Sequence, residues 1–371
     1  MKHKEHFHGS DLEKIEKIYK IKKENITSFS ANVNPLGVSY KLRKTLSSHI
    51  DAITSYPDRE YTTLRKSIAK YIQTDHKNIL VGNGSTELIS IIIQLKHPKR
   101  ALIIGPTYSE YEREIGIGGG RSHYFPLKEE ENFQLNLPDL FKELTDDIDL
   151  LILCNPNNPT ASHIGQKDMR KILDICKQKD IFVMIDETYV EFSSCMDKIT
   201  AIPLADFYNN VIILRGISKF FAAPGLRLGY AICGNHDLIK EINQKKNPWT
   251  INSLAVIAGE IMFSDKKYIE DTKKLISTER TRIEQRLSQC KFLKTYPCDA
   301  NFILVRILHS HLTADDLFDA AIRQGLMIRN CSTFPFLDNS YFRFCFMEPQ
   351  KNDELLTIIE SMFYNNQTSY E

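Results

Sequence analysis

The chain has 371 residues, enough for two domains that each bury their own core. Hydrophobic residues make up 42% and charged residues 26%, and no apolar run reaches the roughly 18 residues of a membrane span, which excludes a disordered or membrane-embedded protein. The 48 Lys and Arg nearly balance the 47 Asp and Glu, which argues against nucleic-acid or membrane-surface binding driven by overall charge.

The N-terminus is polar and lacks the apolar segment of a secretory signal, so we expect a cytoplasmic protein. The eight cysteines are scattered without a C-x-x-C pair, which favours reduced, mostly buried thiols. His3 and His6 have no acidic or cysteine partners at ligand spacing, so the sequence predicts no metal site.

Short apolar strands alternate with helices through the first two thirds of the chain. The predicted elements are a short opening helix, a helix at 61–72, a strand at 79–81, a helix at 87–94, strands at 101–104 and 150–154, a helix at 167–179, and strands at 181–185, 211–214 and 229–233. Almost uniformly apolar strands separated by helices are typical of a largely parallel sheet covered on both faces. The sequence therefore predicts an α/β core.

The pattern changes near residue 248, where long charged helices begin. Helices around 253–290 are followed by a strand at 302–306, a helix at 314–324 and strands at 327–329 and 341–346. We therefore expect a large α/β domain at 41–247 and a small α+β domain at 248–371, joined by an N-terminal arm at 1–40.

Chemically suggestive residues follow four of the predicted strands. In a parallel α/β sheet, ligands bind beyond the carboxyl ends of the strands. After the strand at 79–81, Gly84, Ser85 and Thr86 open a helix whose free N–H groups suit a phosphate. The other three strand ends carry Asn155-Pro156-Asn157-Asn158-Pro159-Thr160, Asp186-Glu187-Thr188-Tyr189, and Arg215-Gly216-Ile217-Ser218-Lys219, with Pro224-Gly225-Leu226-Arg227-Leu228-Gly229 beyond.

Each of these segments alone has an ordinary structural interpretation as a helix cap, a turn or a surface lysine. In this order they supply what pyridoxal phosphate requires. The amine of Lys219 would form a Schiff base with the aldehyde, Asp186 would pair with the pyridinium nitrogen, and Arg227 would anchor the phosphate. The sequence predicts a pyridoxal-phosphate enzyme that acts on a small amino acid.

At these residues the chain resembles the fold-type I aminotransferase superfamily, class I and II, over essentially its whole length. The resemblance implies a large domain with a mostly parallel sheet of the seven-stranded type and a smaller α+β domain. By position it also implies that Tyr108 stacks on the cofactor ring and that Tyr56 reaches across a homodimer interface to the neighbour's cofactor phosphate. The remaining implied cofactor contacts are Asn158 and Tyr189 at the ring hydroxyl oxygen, and Gly84, Ser85, Thr86, Ser218 and Arg227 at the phosphate.

Within the superfamily, the flanking segments are most similar to the threonine-phosphate decarboxylases of cobalamin biosynthesis, relatives of the histidinol-phosphate aminotransferases. The segments are His8-Gly9, Ser30-Ala31-Asn32-Val33-Asn34-Pro35-Leu36-Gly37, Asn247-Pro248-Trp249, Arg329-Asn330-Cys331 and Tyr341-Phe342-Arg343. This similarity implies decarboxylation of L-threonine O-3-phosphate to (R)-1-amino-2-propanol O-phosphate, with L-serine O-phosphate as a further candidate substrate.

The same resemblance implies which residues bind the substrate. Arg343 would clamp the α-carboxylate through its planar fork, with Asn32 beside it. His8 and Arg329 would hold the substrate phosphate, although a solvated arm and a structural ion pair are their ordinary alternatives.

Two positions depart from the family pattern, and two other functions stay open. Ala161 stands where the family commonly has Gly, and Gly216 where it has Ser or Thr; the latter removes a hydroxyl that is worth about 1 kcal/mol of cofactor binding. An aminotransferase would use the same catalytic residues. A non-catalytic regulator that binds pyridoxal phosphate is disfavoured, because the segment before Ser30 is too short for a helix-turn-helix.

Overall fold

The secondary structure of a computed structural model follows the predicted alternation of helices and strands over the residues it describes, 11–309 and 311–364. The helices are α1 Leu12–Tyr19, α2 Tyr40–Ser48, α3 Thr62–Ile72, α4 Gly84–Lys96, α5 Glu110–Ile117, α6 Leu137–Glu143, α7 Gln166–Gln178, α8 Met196–Ile199, α9 His236–Lys245, α10 Ser253–Met262, α11 Lys266–Leu287, α12 Ala314–Arg323 and α13 Pro349–Tyr364. The strands are β1 Thr27–Ser28, β2 Ile79–Gly82, β3 Arg100–Gly105, β4 Arg121–Pro126, β5 Leu150–Cys154, β6 Phe182–Asp186, β7 Val211–Gly216, β8 Gly229–Ile232, β9 Leu293–Thr295, β10 Phe302–Ile307, β11 Leu326–Met327, β12 Arg329–Asn330 and β13 Tyr341–Cys345.

A seven-stranded sheet forms the centre of the large α/β unit, as predicted. Its strand order is β2-β8-β7-β6-β5-β3-β4. Strand β8 runs antiparallel to both β2 and β7, and the other neighbours are parallel. The carboxyl ends of β3, β5, β6 and β7 therefore meet at one edge of the sheet, which is where ligands bind in such folds.

Alternate residues of the buried strands pack into two different cores, one on each face of the sheet. Leu80, Ile152 and Met184 belong to a cluster that also contains residues of α4, α5 and α9. Val81 and Leu151 belong to the larger cluster, which includes residues of α3, α7 and α10 and continues into the small sheet. Burial on both faces explains why these strands are apolar at nearly every position.

Strand β4 was not predicted from the sequence. It lies at the edge of the large sheet, pairs only with β3 among the described strands, and is exposed at Arg121, His123 and Pro126. An edge strand with one solvated face carries polar residues, so the sequence RSHYFP lacks the apolar run that identified its neighbours.

The C-terminal part forms an antiparallel sheet in the order β12-β13-β10-β9. The predicted single strand at 327–329 is instead two short strands, because β11 leaves this sheet and pairs in parallel with β1. That pairing supports the assignment of the N-terminal arm to the small domain, and the domain boundaries themselves stay a prediction. Among the described residues, no helix is both long and apolar enough to span a membrane.

Candidate cofactor and substrate site

A cavity of about 590 Å³ lies where the carboxyl ends of β5, β6 and β7 face the N-terminus of α4 and the small antiparallel sheet. It brings together most of the residues that the sequence predicted for the cofactor and substrate site. Those that line it are Asn32, Ser85, Thr86, Tyr108, Asn158, Asp186, Tyr189, Ser218, Lys219, Arg227, Arg329 and Arg343.

Lys219 lies three residues beyond the end of β7, with its amine inside the cavity. Its Nζ donates a hydrogen bond to the backbone carbonyl of Ala31, at 2.6 Å. Burial, together with the positive charges of Arg343 and Arg227, lowers the pKa of Lys219 to about 8. A lysine in this condition has a substantial uncharged fraction near neutral pH and can act as a nucleophile.

Asp186 is the last residue of β6, and its carboxylate is held by three hydrogen bonds. The hydroxyl of Tyr111 donates to Oδ2 at 2.7 Å, while the backbone N–H and the hydroxyl of Thr188 donate to Oδ1 at 2.9 and 2.5 Å. Sequence analysis missed Tyr111. Tyr108 precedes α5 and Tyr111 lies in its first turn, with ring centroids 5.6 Å apart, a contact that no spacing rule in the sequence indicates.

Asn158, Tyr189 and Asn32 line the cavity together with Asp186, and two hydrogen bonds hold them in place. The side-chain oxygen of Asn158 accepts a short hydrogen bond from Arg343, and the amide of Asn32 donates to the Tyr189 hydroxyl at 3.3 Å. Burial raises the pKa of Tyr189 above its usual value, so its hydroxyl keeps its proton. Protonated, the phenol can donate a hydrogen bond to an oxygen anion in the cavity.

Ser85 and Thr86 lie in the first turn of α4, where backbone N–H groups are free to bind an anion. Gly84 does not line the cavity, but it leaves space for the side chain of Arg227, which does. A Cβ at Gly84, whose φ is +76°, would lie 2.4 Å from a guanidinium nitrogen of Arg227. The glycine thus lets Arg227 approach the start of the helix closely.

The two departures from the family pattern have different local surroundings. A Cβ at Gly216 would meet nothing closer than 3.8 Å, and one of the atoms at that distance is Ser85 Oγ. A hydroxyl at this position would therefore fit beside the anion site. Ala161 has a φ of +58°, a left-handed conformation that glycine adopts without strain, which explains why glycine suits this position.

Arg329 and Arg343 are paired residues on neighbouring strands β12 and β13, and both side chains line the cavity. Arg343 donates to the Ser30 carbonyl at 2.8 Å and lies over the ring of Phe302. Arg329 donates to the Thr333 hydroxyl at 2.8 Å, and burial together with the charge of Arg343 lowers its pKa to about 10. Two buried cations side by side favour a ligand with more than one negative charge.

Several buried polar atoms around the cavity have no hydrogen-bond partner within the part of the chain that the structure describes. They are Ser30 Oγ, Asn32 Oδ1, Thr107 Oγ1 and Arg343 Nε. A buried polar atom without a partner is costly unless a ligand or water satisfies it. Together with a lysine, a fixed carboxylate and a helix N-terminus, these atoms fit pyridoxal phosphate and an amino-acid substrate.

Of the predicted site residues that the structure describes, Gly84 and Tyr56 do not line the cavity. Tyr56 is 80% exposed and packs against Trp249, with ring centroids 4.8 Å apart. His8 lies outside the described residues. The roles of the individual site residues remain predictions from their placement.

Known proteins of similar sequence include both of the enzyme types that the motifs suggested. The threonine-phosphate decarboxylase of Salmonella typhimurium is 32% identical over 96% of this chain and 96% of its own length. A histidinol-phosphate aminotransferase of Ruminiclostridium cellulolyticum is 30% identical over 94% of each chain. The crystal structure of a histidinol-phosphate aminotransferase from Clostridium acetobutylicum superimposes with a TM-score of 0.84 and 32% identity, covering 91% of this chain and 98% of that one.

The family model described as aminotransferase class I and II matches residues 24–359. That range includes both sheets and the residues of the cavity. The chain belongs to the class I and II aminotransferase family of pyridoxal-phosphate-dependent enzymes.

Proposed function

We propose that this protein decarboxylates L-threonine O-3-phosphate to (R)-1-amino-2-propanol O-phosphate, a reaction of cobalamin biosynthesis. The observation that carries the proposal is the pair Arg329 and Arg343, which lie directly opposite each other on β12 and β13 and both line the cavity. The substrate has two anionic groups, an α-carboxylate and a phosphate, separated by a short carbon chain. Paired residues on antiparallel strands have Cα atoms about 4.5–5.5 Å apart, a spacing that suits two linked anions.

Each arginine suits one of the two anions. Arg343 is close to the cofactor-side residues, because it hydrogen-bonds Asn158, and its Nε is still available for a carboxylate oxygen. Arg329 lies opposite Arg343 on the edge strand β12, beside the hydroxyl of Thr333. An arginine and a hydroxyl together provide several donors for a phosphate dianion.

Lys219, Asp186 and the start of α4 would hold the cofactor. When bound, pyridoxal phosphate supplies an aldehyde that captures an amine and a ring that withdraws electrons from the substrate Cα. Asp186, fixed by Tyr111 and Thr188, would keep a positive charge on the ring nitrogen. Ser85, Thr86, Ser218 and Arg227 would hold the phosphate, since all four line the same end of the cavity as the α4 N-terminus.

The same residues account for the proton that decarboxylation requires. The bond between Cα and the carboxylate breaks, carbon dioxide leaves, and Cα takes up one proton in its place. Lys219 Nζ, with its pKa lowered to about 8, exchanges protons readily near neutral pH and is the group proposed to deliver it. Arg343 would orient the carboxylate before it leaves and would have no carboxylate to bind in the product, which favours release.

A second function, histidinol-phosphate aminotransfer, has its own support in the sequence and structural similarity to enzymes of that name. Both reactions use the same lysine and the same carboxylate. They differ in which covalent bond at Cα breaks, the bond to the carboxylate carbon or the bond to hydrogen, and bound pyridoxal phosphate would take up the electrons of either one. The product therefore distinguishes them.

The decisive experiment gives the cofactor-loaded protein O-phospho-L-threonine alone and measures carbon dioxide and 1-amino-2-propanol phosphate. We expect turnover without a keto-acid acceptor, and its loss in Lys219→Ala. Lys96→Met is the matched control, because Lys96 is a half-buried lysine over the ring of Phe182, away from the cavity, and should keep its activity. Silence with this substrate, combined with glutamate formation from histidinol phosphate and 2-oxoglutarate, would establish the aminotransferase instead.

We also propose that the working form is a homodimer, in which Tyr56 reaches the neighbour's cofactor phosphate. Tyr56 lies in a region rich in exposed apolar side chains, which commonly marks an interface. Those with the largest exposure there are Tyr40, Ile50, Ile53, Tyr56 and Trp249. Light scattering should give twice the 42.8 kDa chain mass, and a value of one chain mass at assay concentration would contradict the dimer.

A further inference from the structure

Outside the cavity, three side chains with metal-binding atoms meet in a cluster of His163, Cys195 and Asp299. His163 Nδ1 lies 2.6 Å from Asp299 Oδ2, and Cys195 Sγ lies 3.7 Å from Asp299 Oδ1. All three potential ligand atoms lie within 4.8 Å of one another. None of the three belongs to the residues that line the cofactor cavity.

The three residues come from separate parts of the chain, so no ligand spacing in the sequence indicates this cluster. His163 follows the loop that carries Asn158, Cys195 follows a turn after β6, and Asp299 precedes β10 of the small sheet. The loop and the small-sheet segment also touch directly, because the backbone N–H of Asp299 donates to the carbonyl of Ala161 at 2.9 Å. The cluster thus bridges the large α/β unit and the small one.

We propose that His163, Cys195 and Asp299 bind a zinc-type divalent transition-metal ion, with water as the fourth ligand. An imidazole nitrogen, a thiolate sulfur and a carboxylate oxygen are the three ligand types that Zn²⁺ uses in proteins. The side chains of His163 and Asp299 are 33% and 18% exposed, so an ion and its water can enter from solvent. Three protein ligands leave one tetrahedral position open.

The observed distances are close to those of a tetrahedral site. Zinc lies about 2.0–2.3 Å from such ligands, which places neighbouring ligand atoms roughly 3.3–3.6 Å apart. The sulfur lies 3.7 Å from Oδ1 of Asp299, close to this value, whereas His163 contacts the other oxygen, Oδ2. The hydrogen bond of 2.6 Å between His163 and Asp299 would open by less than about 1 Å as the metal replaces the shared proton.

A nucleophilic cysteine triad is the main alternative for these residue types, and the arrangement opposes it. In such a triad the histidine lies between the thiol and the carboxylate. Here Asp299 is in the centre, because it contacts His163 through one oxygen and Cys195 through the other. The thiol therefore donates to the carboxylate and not to the imidazole that would activate it in such a triad, whereas all three side chains can bind one metal ion.

One nearby cation works against metal binding but is already engaged. Burial raises the pKa of Asp299, but the hydrogen bond and the charge of His163, together with the charge of Arg280, lower it below its usual value. The guanidinium of Arg280 donates to the carbonyls of Phe192 and Ala300, both at 2.8 Å, so it does not occupy the space between the three ligand atoms. Ser193 Oγ, 3.4 Å from Asp299 Oδ1, is available to hold the bound carboxylate in place.

The test titrates chelator-treated holoenzyme with Zn²⁺ by calorimetry and with Co²⁺ by visible absorption. We expect one ion per chain, and a Co²⁺ spectrum with a thiolate charge-transfer band and intense tetrahedral d–d bands. Cys195→Ser should remove the charge-transfer band and weaken Zn²⁺ binding by about 100-fold or more, as should His163→Ala. The control His123→Ala removes a surface histidine near a single carboxylate, Glu143, and should bind as the parent does.

Subtracting the Cys195→Ser titration from that of the parent separates this site from any metal bound by the cofactor. Circular dichroism of each variant confirms that it is folded, so that lost binding is not lost structure. Absence of saturable binding of one ion per chain in the parent would falsify the proposal. So would binding of unchanged strength and spectrum in Cys195→Ser.

Discussion

The two sides of the cavity differ in how completely their polar groups are paired. In the large-sheet wall, formed by residues such as Asp186 and Lys219, Asp186 accepts three hydrogen bonds and Lys219 donates one. Four buried polar atoms around the cavity have no partner among the described residues: Thr107 Oγ1, and three in the small-sheet wall, which is formed by Ser30, Asn32, Arg329 and Arg343.

The residues Asp186 and Lys219 of the large-sheet wall are therefore held in place before a ligand binds. The small-sheet wall instead contains polar atoms that a ligand could pair with. Groups held by hydrogen bonds before any ligand arrives need no reorganisation when the reaction occurs. Unpaired groups instead gain their full hydrogen-bond energy only when a ligand of the right shape binds. The relatives of this chain include enzymes named for two different phosphorylated substrates. We therefore expect the large-sheet wall to be common to these enzymes and the small-sheet wall to determine which substrate binds.

The largest effect is expected from Asp186→Asn on the large-sheet wall. The amide keeps the shape but loses the negative charge that would hold the ring nitrogen protonated, so kcat should fall at least about 10³-fold. Steady-state kinetics measures the loss, and the cofactor absorption spectrum reports whether the ring nitrogen has changed its protonation. The control Thr188→Val removes one donor to Asp186 Oδ1 and should lose much less. Equal losses would mean that the charge is not what matters.

Arg343→Lys probes the small-sheet wall. A lysine keeps the charge but cannot form the planar fork to a carboxylate, so kcat/KM should fall about 100-fold, mostly through KM. Binding of the cofactor, measured by its absorbance, should change little. Arg306→Lys is the control, because Arg306 lies on the same sheet but pairs with Glu129 outside the cavity. A loss confined to kcat would contradict a substrate-binding role.

The pH dependence of stability should show that the buried positive charge of Lys219 destabilises the folded apoenzyme. Because its folded pKa is lowered from 10.5 to about 8, the unfolded chain holds this proton more tightly, and stability rises with pH between those values. Lys219→Met should therefore stabilise the apoenzyme by about 3 kcal/mol below pH 8, with the gain vanishing towards pH 10.5. Urea unfolding across this range measures it. The exposed Lys267→Met serves as control, and a gain that is independent of pH would point to packing instead.

The smallest effect is expected from Gly216→Ser, which restores a hydroxyl near Ser85. A Cβ fits there, so the serine should add one hydrogen bond to the cofactor phosphate and tighten cofactor binding about fivefold. Titration of the apoenzyme with pyridoxal phosphate gives the dissociation constant. Gly216→Ala is the matched control, since it adds the Cβ without the hydroxyl. If both variants bind equally, the hydroxyl does not reach the phosphate.

The sequence predicted the large-sheet wall better than its supporting contacts. Asp186, Ser85 and Lys219 follow strands directly, and the rule that ligands bind at strand ends places them together without knowledge of packing. Tyr111 and Ser30 reach the cavity from a helix and from the N-terminal segment, and their arrival depends on how distant segments pack. The edge strand β4 escaped prediction because one of its faces is solvated and polar.

The small-sheet wall was predicted only through the family resemblance. Nothing in the local pattern around Arg329 or Arg343 distinguishes them from other strand arginines such as Arg306. Their meeting depends on the register that pairs β12 with β13, which is a long-range property of the fold. The cluster of His163, Cys195 and Asp299 is equally non-local, so its members stay invisible to any search for ligand spacing.

The paired arginines also have a practical consequence for anyone who handles this protein. Two neighbouring guanidinium groups, one of which has its pKa lowered to about 10, are expected to bind small anions. Inorganic phosphate and sulfate should therefore raise the melting temperature and compete with substrate, so that a phosphate-buffered assay would overstate KM. In a zwitterionic, low-salt buffer no phosphate or sulfate competes with the substrate for the two arginines.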